Sequence, residues 1–140
     1  MVVLFIDYGG NNLKFLKRVK KQFSRYYKLP VGDYLFRASE KEEIPNILKH
    51  GTDRGGYPPR NWESTDIPYE DVIFATTEQD IIEAEKDENR SSSFKKFKII
   101  ENPILLIYDI RGFEKIEDRQ WRFLDPKNKR DYLIGIINLT

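Results

Sequence analysis

LFRAS at residues 35–39 and VIFAT at residues 72–76 are the two strand-like runs on which the fold prediction is built. Aromatic and β-branched side chains dominate both runs, as is typical of strands that pack against a core. A helix is predicted after each of them, and a long loop lies between. This order differs from a regular βαβ alternation, and it favours an α+β fold with a largely antiparallel sheet.

A helix-start signal follows each of these strand-like runs. Ser39 with Glu42, and Thr77 with Asp80, both have the spacing of a capping box. The first box is followed by Gly51, a residue that favours the end of a helix. The boxes therefore predict two helices, over roughly 40–49 and about 78–87.

Further elements are predicted on both sides of this centre. Apolar residues recur at helical spacing within residues 11–28 and predict a third helix there, with Asn11 or Asn12 as its cap. Residues 89–93 are predicted to form a loop. Strands are predicted at 2–8, 33–38, 72–76, 104–108, 121–123 and 133–139. The sequence thus predicts one α+β domain over residues 1–140, with six or seven strands in a mostly antiparallel, split sheet and two or three helices.

Composition excludes several functional classes. The chain has 140 residues, of which 39% are hydrophobic and 14% aromatic, which excludes wholesale disorder. It has no Cys and one His, so it has no disulfide, cysteine nucleophile or thiolate zinc site, and we expect no metal. No apolar run approaches the roughly 18 residues that span a bilayer, and no signal peptide is recognisable. We therefore expect a cytoplasmic protein.

Charge is distributed unevenly along the chain. Residues 1–31 carry seven basic side chains and one acidic side chain, a net charge of +6. Residues 32–140 carry 17 basic and 22 acidic side chains, a net charge of −5. The first segment is therefore interpreted as a basic strand–helix unit, and the second as the body of the domain. Such a separation bears on partners rather than on fold.

The predicted helix at 11–28 offers a basic surface. Its Lys and Arg side chains alternate with Phe and Tyr, a pattern typical of phosphate-contacting helices. Nucleic acid, a protein or an anionic membrane could bind such a surface, and a solvated face above a core-facing stripe explains it equally well. The residues concerned are Lys14, Lys17, Arg18, Lys21 and Arg25.

The centre of the sequence resembles the ADP-ribosyltransferase-like superfamily, which includes the RES-type NAD-degrading toxins. The likeness lies in the aromatic–Arg pair at Arg37, in Ile47-Leu-Lys-His-Gly51 at a helix end, and in the aromatic before Thr76. Residues 120–126 and 132–137 resemble the C-terminal strands of that superfamily. The resemblance covers residues 33–140 in outline. It implies a split sheet and a reaction that cleaves NAD, transferring ADP-ribose to an acceptor or to water.

The resemblance also implies roles for individual residues. Cleaving the nicotinamide–ribose bond passes through an oxocarbenium-like state, which a carboxylate stabilises. Arg37 would bind the pyrophosphate, and a threonine hydroxyl would position the ribose. The threonine candidates are Thr76 and Thr77, and the carboxylate candidates are Glu117, Asp118, Glu83 and Glu85. Gln120 stands where the family favours Glu, so either the acid lies elsewhere or the domain is inactive. We expect Arg37 and Thr76 on neighbouring central strands, with their side chains on one face.

The loop at residues 51–70 is the predicted border of the NAD site. Its glycines permit unusual backbone angles, and Pro58-Pro59 stiffens the segment that follows. Its rings could stack on a base or pin the loop to the body, and a lid ordered by NAD is one prediction. The ring candidates are Tyr57, Trp62 and Tyr69. His50 is interpreted as a residue at a helix C-terminus rather than as a catalytic base.

A second likeness is excluded by chemistry. Phe5-Ile-Asp-Tyr-Gly-Gly-Asn-Asn-Leu13 is similar to the start of the glutamine amidotransferase subunit of imidazole glycerol phosphate synthase. That enzyme requires a cysteine nucleophile, which this chain lacks. The match is therefore interpreted as incidental.

Overall fold

The structure is a computed structural model that describes residues 3–8, 12–27, 33–53 and 67–138. Within these ranges there are eight strands and four α-helices, joined in places by 3-10 turns. In chain order they are β1 (Leu4–Asp7), α1 (Phe15–Tyr26), β2 (Tyr34–Glu40), α2 (Ile44–His50), β3 (Val72–Phe74), β4 (Thr76–Thr77), α3 (Glu78–Glu85), α4 (Ser93–Phe97), β5 (Pro103–Asp109), β6 (Phe113–Glu117), β7 (Gln120–Phe123) and β8 (Leu133–Asn138).

The strands form two sheets. The larger has the order β1-β8-β5-β2-β4, and the smaller has the order β3-β7-β6. All pairings are antiparallel except β1 with β8, which is parallel. The prediction of an α+β domain with a split, mostly antiparallel sheet is confirmed. The basic N-terminal unit belongs to the same sheet as the body, because β1 pairs with β8.

Two apolar layers hold the larger sheet. Strand β5 is buried along its whole length, and its side chains alternate between the layers. Leu105 and Ile107 face a cluster that includes side chains of α1, α3 and α4. Leu106 and Tyr108 face a cluster shared with α2 and the smaller sheet. The second layer therefore joins the two sheets, and the cavities described below lie at its edge.

One segment, residues 72–77, contributes to both sheets. Its first half is β3 of the smaller sheet and its second half is β4 of the larger sheet. Between them the Ala75 N–H donates to the carbonyl of Arg119, 3.0 Å away, instead of to a sheet partner. The break in the strand brings the smaller sheet against the edge of β2, next to Arg37.

The expectation for Arg37 and Thr76 is met only in part. They lie on neighbouring strands, since Thr76 is aligned with Phe36 on β2. However, β4 is an edge strand rather than a central one. Aligned residues share a face of a sheet, so Thr76 lies on the face of Phe36 and Arg37 lies on the opposite face. The prediction that their side chains share a face is therefore wrong.

The two capping boxes had different outcomes. Thr77 Oγ1 accepts the N–H of Asp80 at 3.2 Å, and the Asp80 carboxylate accepts the N–H of Thr77 at 3.4 Å, so the cap of α3 is confirmed. Ser39 caps nothing, because it lies within β2 and its hydroxyl donates to Asp53 at 2.7 Å. The helix predicted over 40–49 is α2, which follows the 3-10 turn Lys41–Glu43. It ends at Gly51 as predicted.

Two elements, α4 and β6, were not among those predicted from the sequence. Helix α4 starts at Ser93, where Ser92 Oγ accepts the N–H of Lys95 at 3.1 Å. Strand β6, which pairs with β7, contains Glu117 and places Asp118 in a hairpin turn. The predicted Asn11 cap lies outside the described residues. Asn12 Oδ1 accepts the N–H of Lys14 at 3.0 Å, but α1 begins at Phe15 with Lys14 as its N-cap residue and without a side-chain cap, so the prediction that Asn12 caps the helix is wrong. No helix in the described ranges is long and apolar enough to cross a membrane.

Candidate functional site

Two cavities meet at Arg37. The larger, the main cleft, has a volume of about 890 Å³ and lies between α2 and residues 126–132, with β3 forming part of its wall. The smaller, the side cavity, has a volume of about 150 Å³ and is bordered by β4, α4 and the β6–β7 turn. Arg37 and Phe74 line both of them. This arrangement follows from the break in segment 72–77, which leaves space beside β2.

Arg37 is held by three hydrogen bonds. Its Nε and Nη2 donate to Asp53 Oδ1 at 3.2 and 2.9 Å, and its Nη1 donates to the carbonyl of Phe74 at 3.1 Å. Only 16% of its side chain is exposed. A guanidinium has five N–H donors, so two remain that no described residue accepts. The charge is therefore fixed in position, and donors are left for a ligand.

Asp53 is the buried carboxylate of the site. Only 9% of its side chain is exposed, and it lines the main cleft. Besides Arg37, it accepts hydrogen bonds from Ser39 through Oδ2 at 2.7 Å and from Thr52 through Oδ1 at 3.4 Å. These donors hold the Asp53 carboxylate in a fixed orientation. Sequence reasoning did not single out Asp53, although the charge of an arginine on a buried strand requires such a partner.

Gly51 fixes the shape of the main cleft. It has φ +89° and ends α2 in the left-handed conformation. A Cβ at this position would lie 2.5 Å from the backbone nitrogen of Arg130 and 2.6 Å from the carbonyl carbon of Lys129. The Tyr108 hydroxyl donates to the Gly51 carbonyl at 2.7 Å. Helix α2 and the opposite wall of the cleft therefore touch through backbone atoms, and only glycine fits between them.

The main cleft is electropositive. Its basic side chains are those of Arg37, Lys49, Lys127, Lys129 and Arg130. The acidic side chains among the described lining residues are those of Asp53, Glu70 and Asp131. The described residues of the cleft thus carry an excess of two positive charges, which favours an anionic ligand. The volume lies within the range of about 300–1,000 Å³ that is usual for small-molecule and cofactor sites.

The residues proposed to bind NAD are distributed between the two cavities. Arg37 and Tyr69 line the main cleft, and Arg37 also lines the side cavity together with Thr76. His50, interpreted as a residue at a helix C-terminus, ends α2 and also lines the main cleft. Thr77 lines neither, because its hydroxyl caps α3. Tyr57 and Trp62 lie outside the described residues, and so does the lid predicted from them.

The proposed catalytic carboxylates lie away from both cavities. Glu83 pairs with Arg90 at 3.0 Å, and Glu85 pairs with Lys98 at 3.4 Å. Glu117 ends β6 and Asp118 occupies the hairpin turn, where it lies 3.5 Å from Arg119. Gln120 opens β7, aligned with Phe74. None of these five residues lines the main cleft or the side cavity, so Asp53 is the carboxylate that the fold brings to Arg37.

The basic side chains of α1 lie away from these cavities. Lys14, Lys17, Arg18, Lys21 and Arg25 are all exposed. At about 100° per residue they fall within an arc of about 100°, opposite the buried face of the helix. Lys20, by contrast, pairs with Glu78 at 2.6 Å. Among the described residues, no group of three or more His, Cys, Asp or Glu side chains could hold a metal ion.

The hydrogen bond from Tyr108 to Gly51 gives a prediction for pH dependence. Burial raises the pKa of the Tyr108 hydroxyl above its ordinary value near 10. Above about pH 10 the unfolded chain loses this proton while the folded chain keeps it, so stability falls by about 1.4 kcal/mol per pH unit for this group. We expect Tyr108→Phe to reduce stability by about 1–2 kcal/mol at pH 7 but to flatten this alkaline slope. Urea unfolding from pH 7 to 11 measures both effects, and a slope unchanged by the substitution would contradict the assignment.

Comparison with known proteins identifies no relative for this arrangement. No protein-family model matches the chain, and neither a curated protein nor a solved structure shows significant similarity to it.

Proposed function

We propose that the chain binds NAD in the main cleft and cleaves the bond between nicotinamide and ribose, transferring ADP-ribose to water or to an acceptor nucleophile. The observation that carries this proposal is the buried Arg37–Asp53 pair at the junction of the two cavities. It places a fixed cation and a carboxylate side by side in an electropositive cleft of suitable volume. The resemblance in sequence around Arg37 implies the same chemistry, although Thr76 does not share the face of Arg37 as the resemblance requires.

Arg37 would bind the pyrophosphate of NAD. Asp53 and the Phe74 carbonyl hold its guanidinium in place, so little conformational entropy is lost when a ligand binds. Its two remaining N–H donors suit phosphate oxygens, which form short, charge-assisted hydrogen bonds with arginine. Lys49, Lys127 and Arg130 add positive charge along the cleft.

Asp53 would take the role of the reaction's carboxylate. Its Oδ2 accepts one hydrogen bond from Ser39 and retains acceptor capacity. As nicotinamide leaves, positive charge develops on the ribose, and a fixed carboxylate lowers the energy of that state. With water as acceptor, NAD and water yield ADP-ribose, nicotinamide and one proton.

Nicotinamide release tests the proposal. We expect the wild-type chain to release nicotinamide from NAD, and Asp53→Asn to lower kcat at least about 100-fold with little change in NAD affinity. Arg37→Gln should weaken NAD binding as well. Arg111→Ala is the matched control, because Arg111 forms a similar pair with Asp109 at 2.6 Å but lines neither cavity. Chromatographic separation of nicotinamide and calorimetric titration with NAD provide the two measurements.

A second function is favoured by the exposed basic face of α1. Its five cations extend over about 16 Å of helix, a length that matches several phosphates of a nucleic-acid strand. Within the described residues none of the five forms an ion pair with a carboxylate. If the chain neither binds nor cleaves NAD but retards nucleic acid in a salt-dependent manner, binding through α1 becomes the preferred function and the NAD proposal fails.

A further inference from the structure

The side cavity has the composition of an anion site. Its walls carry the cations Arg37, Lys96 and Arg119 and the hydroxyls of Thr76, Ser91 and Ser93. No Asp or Glu side chain is among the described residues that line it. The volume of about 150 Å³ equals roughly five water molecules at the density of the liquid, enough for a tetrahedral anion and a few waters. Arg37 is paired with Asp53, and Arg119 lies 3.5 Å from Asp118, so an anion in this space would chiefly balance the charge of Lys96.

A buried pair of hydroxyls leaves one donor available. Thr76 Oγ1 and Ser93 Oγ are 2.5 Å apart, and both residues are buried. Thr76 Oγ1 also accepts the N–H of Ser93 at 3.2 Å. The pair carries two hydroxyl protons, of which one lies between the two oxygens. The other has no acceptor among the described residues, and an oxygen of a bound anion would accept it.

Arg119 reaches this cavity from an unfavourable backbone conformation. It has φ +65°, although it is not glycine, and it sits in the two-residue turn between β6 and β7. Glycine or asparagine is usual at such a position, because other side chains lose stability there. Backbone strain of this kind is concentrated at functional sites. Arg119 thus places a positive charge at a turn position whose backbone conformation glycine would fit better.

The positive charges of Arg37 and Arg119 also act on the Lys96 ammonium. Although part of it is exposed, burial lowers the pKa of its ammonium below the ordinary value, and Arg37 and Arg119 lower it further. In the described residues Lys96 has no carboxylate within ion-pair distance, and its Nζ lies 5.6 Å from the centre of the Phe74 ring. An anion in the cavity would supply the missing counter-charge.

We propose that the side cavity binds a phosphate group, held by Lys96, Arg119 and Arg37 and by the hydroxyl pair Thr76–Ser93. This inference goes beyond the proposed function and does not rest on it, because inorganic phosphate alone is the probe and no NAD is needed. A failure of NAD cleavage would leave the phosphate site intact, and a failure of phosphate binding would leave the cleavage assay valid.

Calorimetric titration with inorganic phosphate at constant ionic strength tests the site. We expect saturable binding of one phosphate per chain, and we expect Lys96→Gln and Arg119→Gly each to weaken it at least about tenfold. Arg119→Gly is a sharp variant, because glycine suits φ +65° and the fold should keep its stability. Lys98→Gln is the matched control: Lys98 follows α4, pairs with Glu85 and does not line the cavity. Its affinity for phosphate should equal that of the wild type.

Two results would overturn the proposal. One is the absence of saturable phosphate binding by the wild type up to about 10 mM. The other is an equal loss of affinity in Lys98→Gln and Lys96→Gln, which would indicate diffuse attraction. Repeating the titration with saturating ADP-ribose separates the two sources of the phosphate. Competition assigns the site to a phosphate of the nucleotide in the main cleft, whereas unchanged binding assigns it to a separate phosphate group, and either result supports the site.

Discussion

Asp53→Ala is expected to lower the free energy of unfolding by about 3 kcal/mol. The substitution leaves the Arg37 guanidinium, of which 16% is exposed, without its carboxylate, and it leaves the Ser39 hydroxyl without its acceptor. Truncating one partner of a largely buried ion pair is costly because the remaining charge is desolvated and uncompensated. Denaturant unfolding followed by circular dichroism measures the change.

Two companion variants separate this mechanism from a general loss of charge. Glu114→Ala removes one partner of the exposed pair with Arg122 and should change stability by less than about 1 kcal/mol. The double variant Arg37→Met with Asp53→Leu should recover most of the stability, since apolar side chains replace the whole pair. If Asp53→Ala is as mild as Glu114→Ala, the Arg37–Asp53 pair contributes little to the fold.

Gly51→Ala is expected to destabilise the protein by about 3 kcal/mol. Part of this cost is the left-handed backbone at φ +89°, which is worth about 1–2 kcal/mol for a residue with a Cβ. The rest arises because the new Cβ would meet backbone atoms of Lys129 and Arg130 at 2.5–2.7 Å, and neither wall of the cleft can move without losing contacts. Thermal unfolding gives the measurement.

Asn102→Gly is the matched control for that substitution. Asn102 also has a positive φ, of +48°, but it lies on the surface and glycine relieves its conformation. The free energy of unfolding of the Asn102→Gly variant should therefore stay within about 0.5 kcal/mol of that of the wild type. A Gly51→Ala variant as stable as this control would mean that α2 and residues 126–132 do not contact each other as described. We also expect Gly51→Ala to narrow or distort the main cleft, so any ligand affinity should fall with stability.

The larger part of the fold could be predicted because its signals are local. Short runs rich in apolar and aromatic residues predicted β2 and β5, and the Thr77–Asp80 box predicted the start of α3. The helical periodicity of α1 was sufficient as well. These elements form where propensity, pattern and tertiary packing agree. Elements with a weak local signal, such as the five-residue helix α4 and the mostly exposed β6, were not predicted.

Ser39 shows where local reasoning fails. Its spacing from Glu42 is that of a capping box, but strand β2 extends to Glu40 because it pairs with β5 up to Pro103. The Ser39 hydroxyl then bonds to Asp53 instead of to a helix terminus. A capping interaction worth about 1 kcal/mol was outweighed by strand pairing over seven residues.

The sequence predicted Arg37 as a residue of the site but did not predict its partner, Asp53. An arginine beside aromatic residues is visible in one short run, whereas the identity of its counter-charge depends on the path of the chain after α2. Glu83 and Glu117 were proposed as catalytic carboxylates. They line neither cavity, because α3 and β6 direct them away from both. Lys96 and Arg119 come together only through the pairing of β3 with β7 and the packing of α4. Such juxtapositions are tertiary, and no periodicity encodes them.

The parallel pairing of β1 with β8 has a consequence for biosynthesis. Asp7 is aligned with Asn138, so the two strands are separated by 131 residues of chain. A ribosome needs on the order of ten seconds to make that length, and β1 has no sheet partner in the described fold until β8 has emerged. Strand β1 is thus among the last elements to complete its sheet pairing, and the nascent chain exposes it to chaperones until β8 has been made.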